Sequence, residues 1–231
     1  MKAEFDHVVI GVSRLAQDTA RVEAQLGAPT GGGGAHPLMA THNRLMRLGG
    51  GTGGYLEVIA VDPAAPSPSR SRWYTLDNPT TAARLAARPR ALCWVASVPD
   101  LEEATRACGY DAGTIIEVTR GDLRWRLTVP EDGVLVADGI LPSLIEWPDG
   151  VNPVAALPVE DVALGSVIAS HPDPAFITAC MTNLGLGHLV TVAGGPSSLA
   201  FDIRTGSGTV RIDQRLSVSS YGPGRIVLCG F

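Results

Sequence analysis

Charge is scarce in this 231-residue sequence: Lys, Arg, Asp and Glu make up 18%, and the formal net charge is −5. That balance lacks the electrostatic footprint of a nucleic-acid partner. Long apolar runs are missing too, so no membrane span of about 20 residues is expected. The first residues have no basic start, apolar stretch or small-residue cleavage site, and a cytoplasmic location is the default expectation. Cysteines number four, Cys93, Cys108, Cys180 and Cys229, and none forms a Cys-x-x-Cys pair. This spacing argues against a structural zinc site or a disulfide framework, and for small buried side chains. The glycine clusters 31–34 and 49–54 lack the Gly-Lys-Ser/Thr ending and strand-turn-helix setting of a phosphate loop. No nucleotide cofactor is expected.

Apolar residues, at 45%, are abundant enough for a sizeable core. Their pattern repeats. Phe5 to Val12 reads as a strand, Ser13 as a helix N-cap, Leu15, Val22 and Leu26 as one helical face, and Gly27 as the stop. A loop from Pro29 to Pro37, a strand from His42 to Leu48, a glycine turn and a strand from Tyr55 to Val61 complete this unit. Asp62 to Pro79, rich in Pro, Ser and Arg, reads as a surface linker. The pattern restarts with a strand from Leu92 to Val98 and a capping box of Asp100 and Glu103. Leu101, Ala104 and Cys108 then share a helical face, and Gly109 stops it. Strands follow over 114–120, 123–129 and 134–147, the last interrupted near Asp138 to Pro142. After the turn-rich Asn152 to Pro158, a third start has a strand over 165–170 and a helix from Pro172 to Leu184. Asp173 is its expected cap, beside His171, and Phe176, Cys180 and Leu184 its expected stripe. Strands over 199–204 and 209–213 close it. The expected fold class is α+β, with repeated βαβββ units forming curved mixed sheets that enclose a pocket. Residues 1–152 would hold paired units (about 1–61 and 91–147), and 153–231 a degenerate third βαβ-type unit.

Two carboxylates interrupt otherwise apolar strands: Glu57 in Tyr55-Leu56-Glu57-Val58-Ile59 and Glu146 in Leu144-Ile145-Glu146-Trp147. Burying such a group is costly unless it is paired or ligated. His7 precedes Glu57 by 50 residues, and Cys93, its counterpart when the units are aligned, precedes Glu146 by 53. Paired units would gather one imidazole and two carboxylates, a donor set suited to Fe, Mn, Ni, Co or Zn. The two carboxylates could instead lie on solvent faces or pair with arginines. Arg124 and Arg126 share one strand face, with Leu123, Trp125 and Leu127 on the other. These arginines are candidates for holding a substrate carboxylate or phosphate, or for pairing with Glu146. His36, His42 and Asn43 are candidates for the pocket mouth, with surface or backbone-bonding roles as the alternative. Trp73 and Tyr74 form a candidate hydrophobic lid or loop anchor.

Several segments resemble the glyoxalase-like branch of the vicinal oxygen chelate superfamily. They are Asp6-His7-Val8-Val9-Ile10, the run from His36 to Leu45 (with Ala40 where Gly is usual), and Tyr55-Leu56-Glu57. Leu123 to Leu127, Gly139 to Trp147 and His171-Pro172-Asp173-Pro174 extend the resemblance over nearly the whole chain. In metal-dependent members the first and last strands of each unit supply the ligands. The resemblance therefore implies a divalent metal at His7, Glu57 and Glu146, with the fourth position on Cys93 or Trp94. It implies a lyase, isomerase or dioxygenase acting on a small oxygenated substrate, with Glu57 or Glu146 able to serve as base. A homodimer is also implied as an option, because the units of such folds can pair within or between chains. A non-catalytic small-molecule binding protein of the same fold, for a drug or toxin, is the main alternative, and a module with a dead site the third.

Overall fold

The computed structural model describes residues 2–50, 53–148 and 150–214. Cys229, the end of the expected third unit and part of the second glycine turn lie outside the described residues.

β1 (Glu4–Gly11) is apolar on both faces, and its Val8, Val9 and Ile10 are fully buried. α1 (Leu15–Leu26) buries Val22 and Leu26 and ends at Gly27 in the left-handed conformation. Ser13 is not its cap. Arg14 holds that position, and its backbone N–H donates to the Asp18 carboxylate at 2.9 Å. β2 (Gly33–His36), β3 (Thr41–Arg47) and β4 (Tyr55–Val61) complete the first unit. β2 lies where the sequence reads as a loop: glycine has little strand preference, and this edge strand is extended by its antiparallel pairing with β3. α2 (Pro79–Ala87) begins where the expected linker ends, and the Asn78 side chain accepts from the N–H groups of Thr80 and Thr81.

The second unit comprises β5 (Arg90–Ser97), α3 (Leu101–Ala107), β6 (Thr114–Arg120), β7 (Leu123–Val129) and β8 (Ser143–Glu146). Asp100 caps α3, accepting from the Glu103 N–H at 2.7 Å. β8 is shorter than the expected 134–147. Ala137 and Asp138 adopt positive φ within a 3₁₀ turn, and Pro142 denies the strand an N–H, so extended structure starts only at Ser143.

These eight strands form one sheet in the order β2-β3-β4-β1-β5-β8-β7-β6. β1 and β5 pair antiparallel at the centre, and each pairs parallel with the last strand of its own unit. Read outward from the centre, the two halves have the same strand sequence, a two-fold arrangement of one repeated unit. The sheet curls until its edges approach: Arg120 at the end of β6 bonds Asn43 on β3 and lies against Gly34 on β2. Val9, Ile59, Val95, Leu127 and Ile145 fill the concave side. The convex side, with Val8, Ile10, Leu56, Trp94 and Leu144, packs against α1 and α3.

β9 (Val162–His171), α4 (Pro174–Leu184), β10 (Val190–Gly194), β11 (Ser198–Thr205) and β12 (Gly208–Asp213) follow. They form a second sheet in the order β10-β9-β11-β12. Asp173 caps α4, accepting from the Phe176 N–H at 2.9 Å. The buried stripe of α4 is Ile177, Cys180, Met181 and Leu184; Phe176, in the first turn beside His171, is 39% exposed. Val167, Phe201, Ile203 and the α4 stripe join the convex-side cluster, so both sheets share one core. Among the described residues no helix is long and apolar enough to cross a membrane.

Candidate functional site

The site begins at an irregularity in β1. Phe5 pairs with Ala96 and His7 with Val95, which leaves Asp6 as an extra, bulged residue. Asp6 and His7 consequently serve one network instead of alternating across the sheet. Asp6 Oδ1 lies 2.6 Å from His7 Nδ1, and Asp6 Oδ2 accepts from Trp147 Nε1 at 2.8 Å. A carboxylate only accepts, so the imidazole proton sits on Nδ1 and the Nε2 lone pair is free. The His7 ring stacks on Tyr55 with centroids 4.4 Å apart. Gly54 supports the bulge: its φ is +79°, and a Cβ there would come within 2.2 Å of the Asp6 carbonyl oxygen.

β4 presents Glu57 to His7, with Oε2 3.7 Å from Nε2. Its other oxygen, Oε1, accepts from Asn43 Nδ2 at 2.5 Å. Asn43 Nδ2 also lies 3.3 Å from His36 Nε2, and His36 Nδ1 lies 3.1 Å from Thr41 Oγ1. Asn43 Oδ1 accepts from the Gly34 N–H and from Arg120 Nη1, each at 3.0 Å. One amide thus joins a carboxylate, an imidazole and a guanidinium. Asp6, His7, His36, Asn43 and Glu57 are all buried, and hydrogen bonding is what makes so polar a cluster tolerable there.

The electrostatics follow from burial. His36 is pushed down to about 3, first by desolvation and then by the nearby Arg120 charge, so it stays neutral. Burial pushes the Tyr55 phenol well up, and Asp6 and Glu57 add to this. Tyr74 and the Cys93 thiol are raised for the same first reason, with Cys93 and Glu57 adding in turn. Burial thus favours the neutral thiol at Cys93, which packs in the core.

Strand register shows what became of the expected three-ligand set. His7 faces Val95 and Val9 faces Cys93, so the two-fold exchange places Cys93 in the role of His7. Val9 pairs with Glu57, and Val95 pairs with Ser143, which makes Ser143 the counterpart of Glu57. Glu146 lies three residues further on and is turned away. It accepts from the Leu101 N–H at the start of α3 and pairs with Arg126 at 3.2 Å. Arg126 also bonds Glu102, and Arg124 is exposed, so neither arginine lines the cavity. His42 lies on the opposite face of β3 from Asn43. His36 and Asn43 do line it. Trp73 packs edge-on to His36 and stacks on Tyr74, and the two fill the concave side.

For a divalent metal, the chain offers His7 Nε2 and Glu57 Oε2. Resident ions are usually held by three or more protein donors. Among the described residues no group of three or more His, Cys, Asp or Glu side chains is arranged to hold one. With Glu146 diverted and Cys93 and Ser143 at the matching positions, these residues do not fit the implied site.

The cavity between His7, Glu57, Asn43, Arg120, Trp125 and Trp147 measures about 20 Å³, room for roughly one water. A second cavity of about 10 Å³ borders Cys93, Ser143, Trp73 and Tyr74. Asp6, Tyr55, Arg120 and Trp147 belong to the site although they are not among the residues expected there. The Asp-His pair and the alternation that puts Trp147 and Ile145 on one face were the available signals; Arg120 carried none.

The family model for the glyoxalase-like domain matches residues 5–185. The chain belongs to the glyoxalase-like family. No curated protein matches it by sequence. Among solved structures, a hypothetical protein from Staphylococcus aureus is similar over 92% of this chain and 85% of its own, at 12% identity and a TM-score of 0.53. A Streptomyces coelicolor methylmalonyl-CoA epimerase, solved with 2-nitronate-propionyl-CoA, is similar over 66% of this chain and 100% of its own, at 14% identity and a TM-score of 0.43. The corresponding epimerase from Mycobacterium tuberculosis shows 19% identity over 66% of this chain and 91% of its own, with a TM-score of 0.41. At 12% identity the likeness to the Staphylococcus aureus protein is one of fold alone.

Proposed function

We propose that this glyoxalase-like chain takes a small oxygenated substrate at the concave pocket, whose aromatic walls must part from their one-water spacing to admit it, and moves a proton on it, as a lyase or isomerase does. The observation that carries this reading is the facing pair: His7, fixed by Asp6, and Glu57, fixed by Asn43, stand 3.7 Å apart in a buried aromatic-walled cavity. Glu57 Oε2 can take a proton, and His7 Nε2, whose lone pair faces it, can receive that proton and give it back. A carbon acid next to a carbonyl needs that combination, one group to remove the proton and one to return it. Glu57 Oε2 is the base, because Oε1 is occupied by Asn43. Asn43 and Tyr55 fix the geometry, and the apolar walls exclude water.

Proton exchange tests this without knowing the product. Purified protein is incubated in D2O with hydroxyacetone, acetoin or 2-oxobutyrate, and proton NMR follows the C–H signals beside the carbonyl. Exchange above the buffer rate is expected with at least one of them, with a loss of about 100-fold or more in Glu57→Gln and His7→Asn. Because no group of three or more His, Cys, Asp or Glu side chains among the described residues is arranged to hold a metal ion, chelation by EDTA is expected to leave the exchange rate unchanged. A specific observation favours a second reading, a non-catalytic binding protein: Tyr55, Tyr74, Trp125 and Trp147 crowd the cavity. Tight binding of a carbonyl compound with no exchange above buffer would establish that reading instead.

A further inference from the structure

We infer that the molecule bound in this pocket carries a carboxylate and that Arg120 receives it, an inference that rests on the pocket holding a small carbonyl compound. Arg120 is the one cation fixed by the chemistry of its side chain among the residues lining the cavity. Arg21, Arg72, Arg88, Arg126 and Arg211 each stand in an ion pair with a carboxylate. Arg120 does not: its single protein acceptor among the described residues is the neutral Asn43 Oδ1 at 3.0 Å. A guanidinium has five N–H donors in a planar fork that matches a carboxylate with two parallel bonds, and most of that fork is unclaimed here.

The surroundings hold the fork in place. The Arg120 guanidinium carbon lies 6.0 Å from the centre of the Trp125 ring, within cation–π reach. The stem crosses the seam between β6 and β2 at Gly34, where a Cβ would meet Arg120 Cδ at 3.1 Å. At Gly34 a larger residue would have to share this space with the arginine stem.

Asn43 sets the scale of the ligand. Its Oδ1 touches Arg120 and its Nδ2 touches Glu57, so anion receptor and base are one amide apart. A carboxylate on Arg120 would bring its neighbouring carbons toward Glu57 and His7, the arrangement of a short 2-oxo or 2-hydroxy acid. Charge favours a monoanion. One guanidinium balances a single carboxylate, whereas a phosphate dianion would leave a charge uncompensated with the buried Glu57 carboxylate one amide away.

Calorimetric titration with 2-oxobutyrate, its methyl ester and phosphoglycolate tests the assignment. Wild-type protein is expected to bind the acid about tenfold or more tightly than the ester, the scale of a hydrogen bond to a charged group. Arg120→Met should abolish that preference, and Arg120→Lys, which keeps the charge but not the fork, should keep part of it. Circular dichroism melts check that both variants fold. A preference for acid that survives in folded Arg120→Met, or phosphoglycolate binding more tightly than 2-oxobutyrate, would overturn the inference. Acid and ester bound alike, with proton exchange on both, would remove the anion receptor and leave the proposed function standing. Failure to bind or exchange either at millimolar concentration would remove both.

Discussion

His36 is 2% exposed and neutral, with Trp73 and Trp125 edge-on to its ring. Its pKa in the folded chain, about 3, lies below the ordinary value of 6.5. Between those values the unfolded chain binds a proton that the folded chain refuses. Stability from this group is therefore complete above pH 6.5 and lost as the pH falls toward 3, on the order of a few kcal/mol. Melting curves from pH 7 to pH 4 should show a falling midpoint in the wild type and a shallower slope in His36→Gln, whose absolute stability is also lower. Cys93 gives a second prediction at this scale. Buried and held as a thiol, it should resist alkylation by iodoacetamide at pH 8 in native protein and react after unfolding, as peptide mass mapping would show. Part of the site was legible in single residues. Glu57 stood out because a carboxylate in an apolar strand needs a partner; Asn43 is that partner and His36 its neighbour. Glu146 met the same criterion and misled, because its partner is Arg126 on the far face. Fifty residues beyond Cys93, the interval from His7 to Glu57, stands Ser143, so the spacing held where the residue type did not.

Among the elements, β2 and the bulge within β1 owe most to contacts that local sequence does not announce. Strands β1, β4, β5, β6 and β7 follow from apolar and β-branched runs, and Gly27 marks the end of α1 as expected. β2 could not be read that way, since its glycines extend only when β3 supplies the ladder. The bulge at Asp6 is likewise a product of β1 meeting β5. Gly54 makes that bulge possible, and Gly54→Ala sets a Cβ against the Asp6 carbonyl in a left-handed conformation. Such a substitution should cost about 2–4 kcal/mol, measured by urea denaturation, and should lower exchange activity as well by displacing His7.

Taken whole, the molecule carries its four tryptophans within the first 147 residues, all in or against the large sheet, while Phe201 lies fully buried in the small one. Because both sheets contribute to one apolar cluster, damage in the small sheet should be felt in the large one. Phe201→Ala should destabilise by about 3–5 kcal/mol, and tryptophan fluorescence and far-ultraviolet dichroism should report the same lowered midpoint. Separate transitions for the two signals would show that the sheets unfold independently.

The two-fold frame has a further consequence, one of stoichiometry. A repeated unit offers two equivalent places for chemistry, related by exchange of β1 and β5. One holds His7 and Glu57; the other holds Cys93 and Ser143 beneath Trp73 and Tyr74. Duplication supplied the walls twice and the reactive groups once. A ligand titrated into this protein should therefore saturate at a single equivalent per chain, the second half serving as the rigid backing against which the first half works.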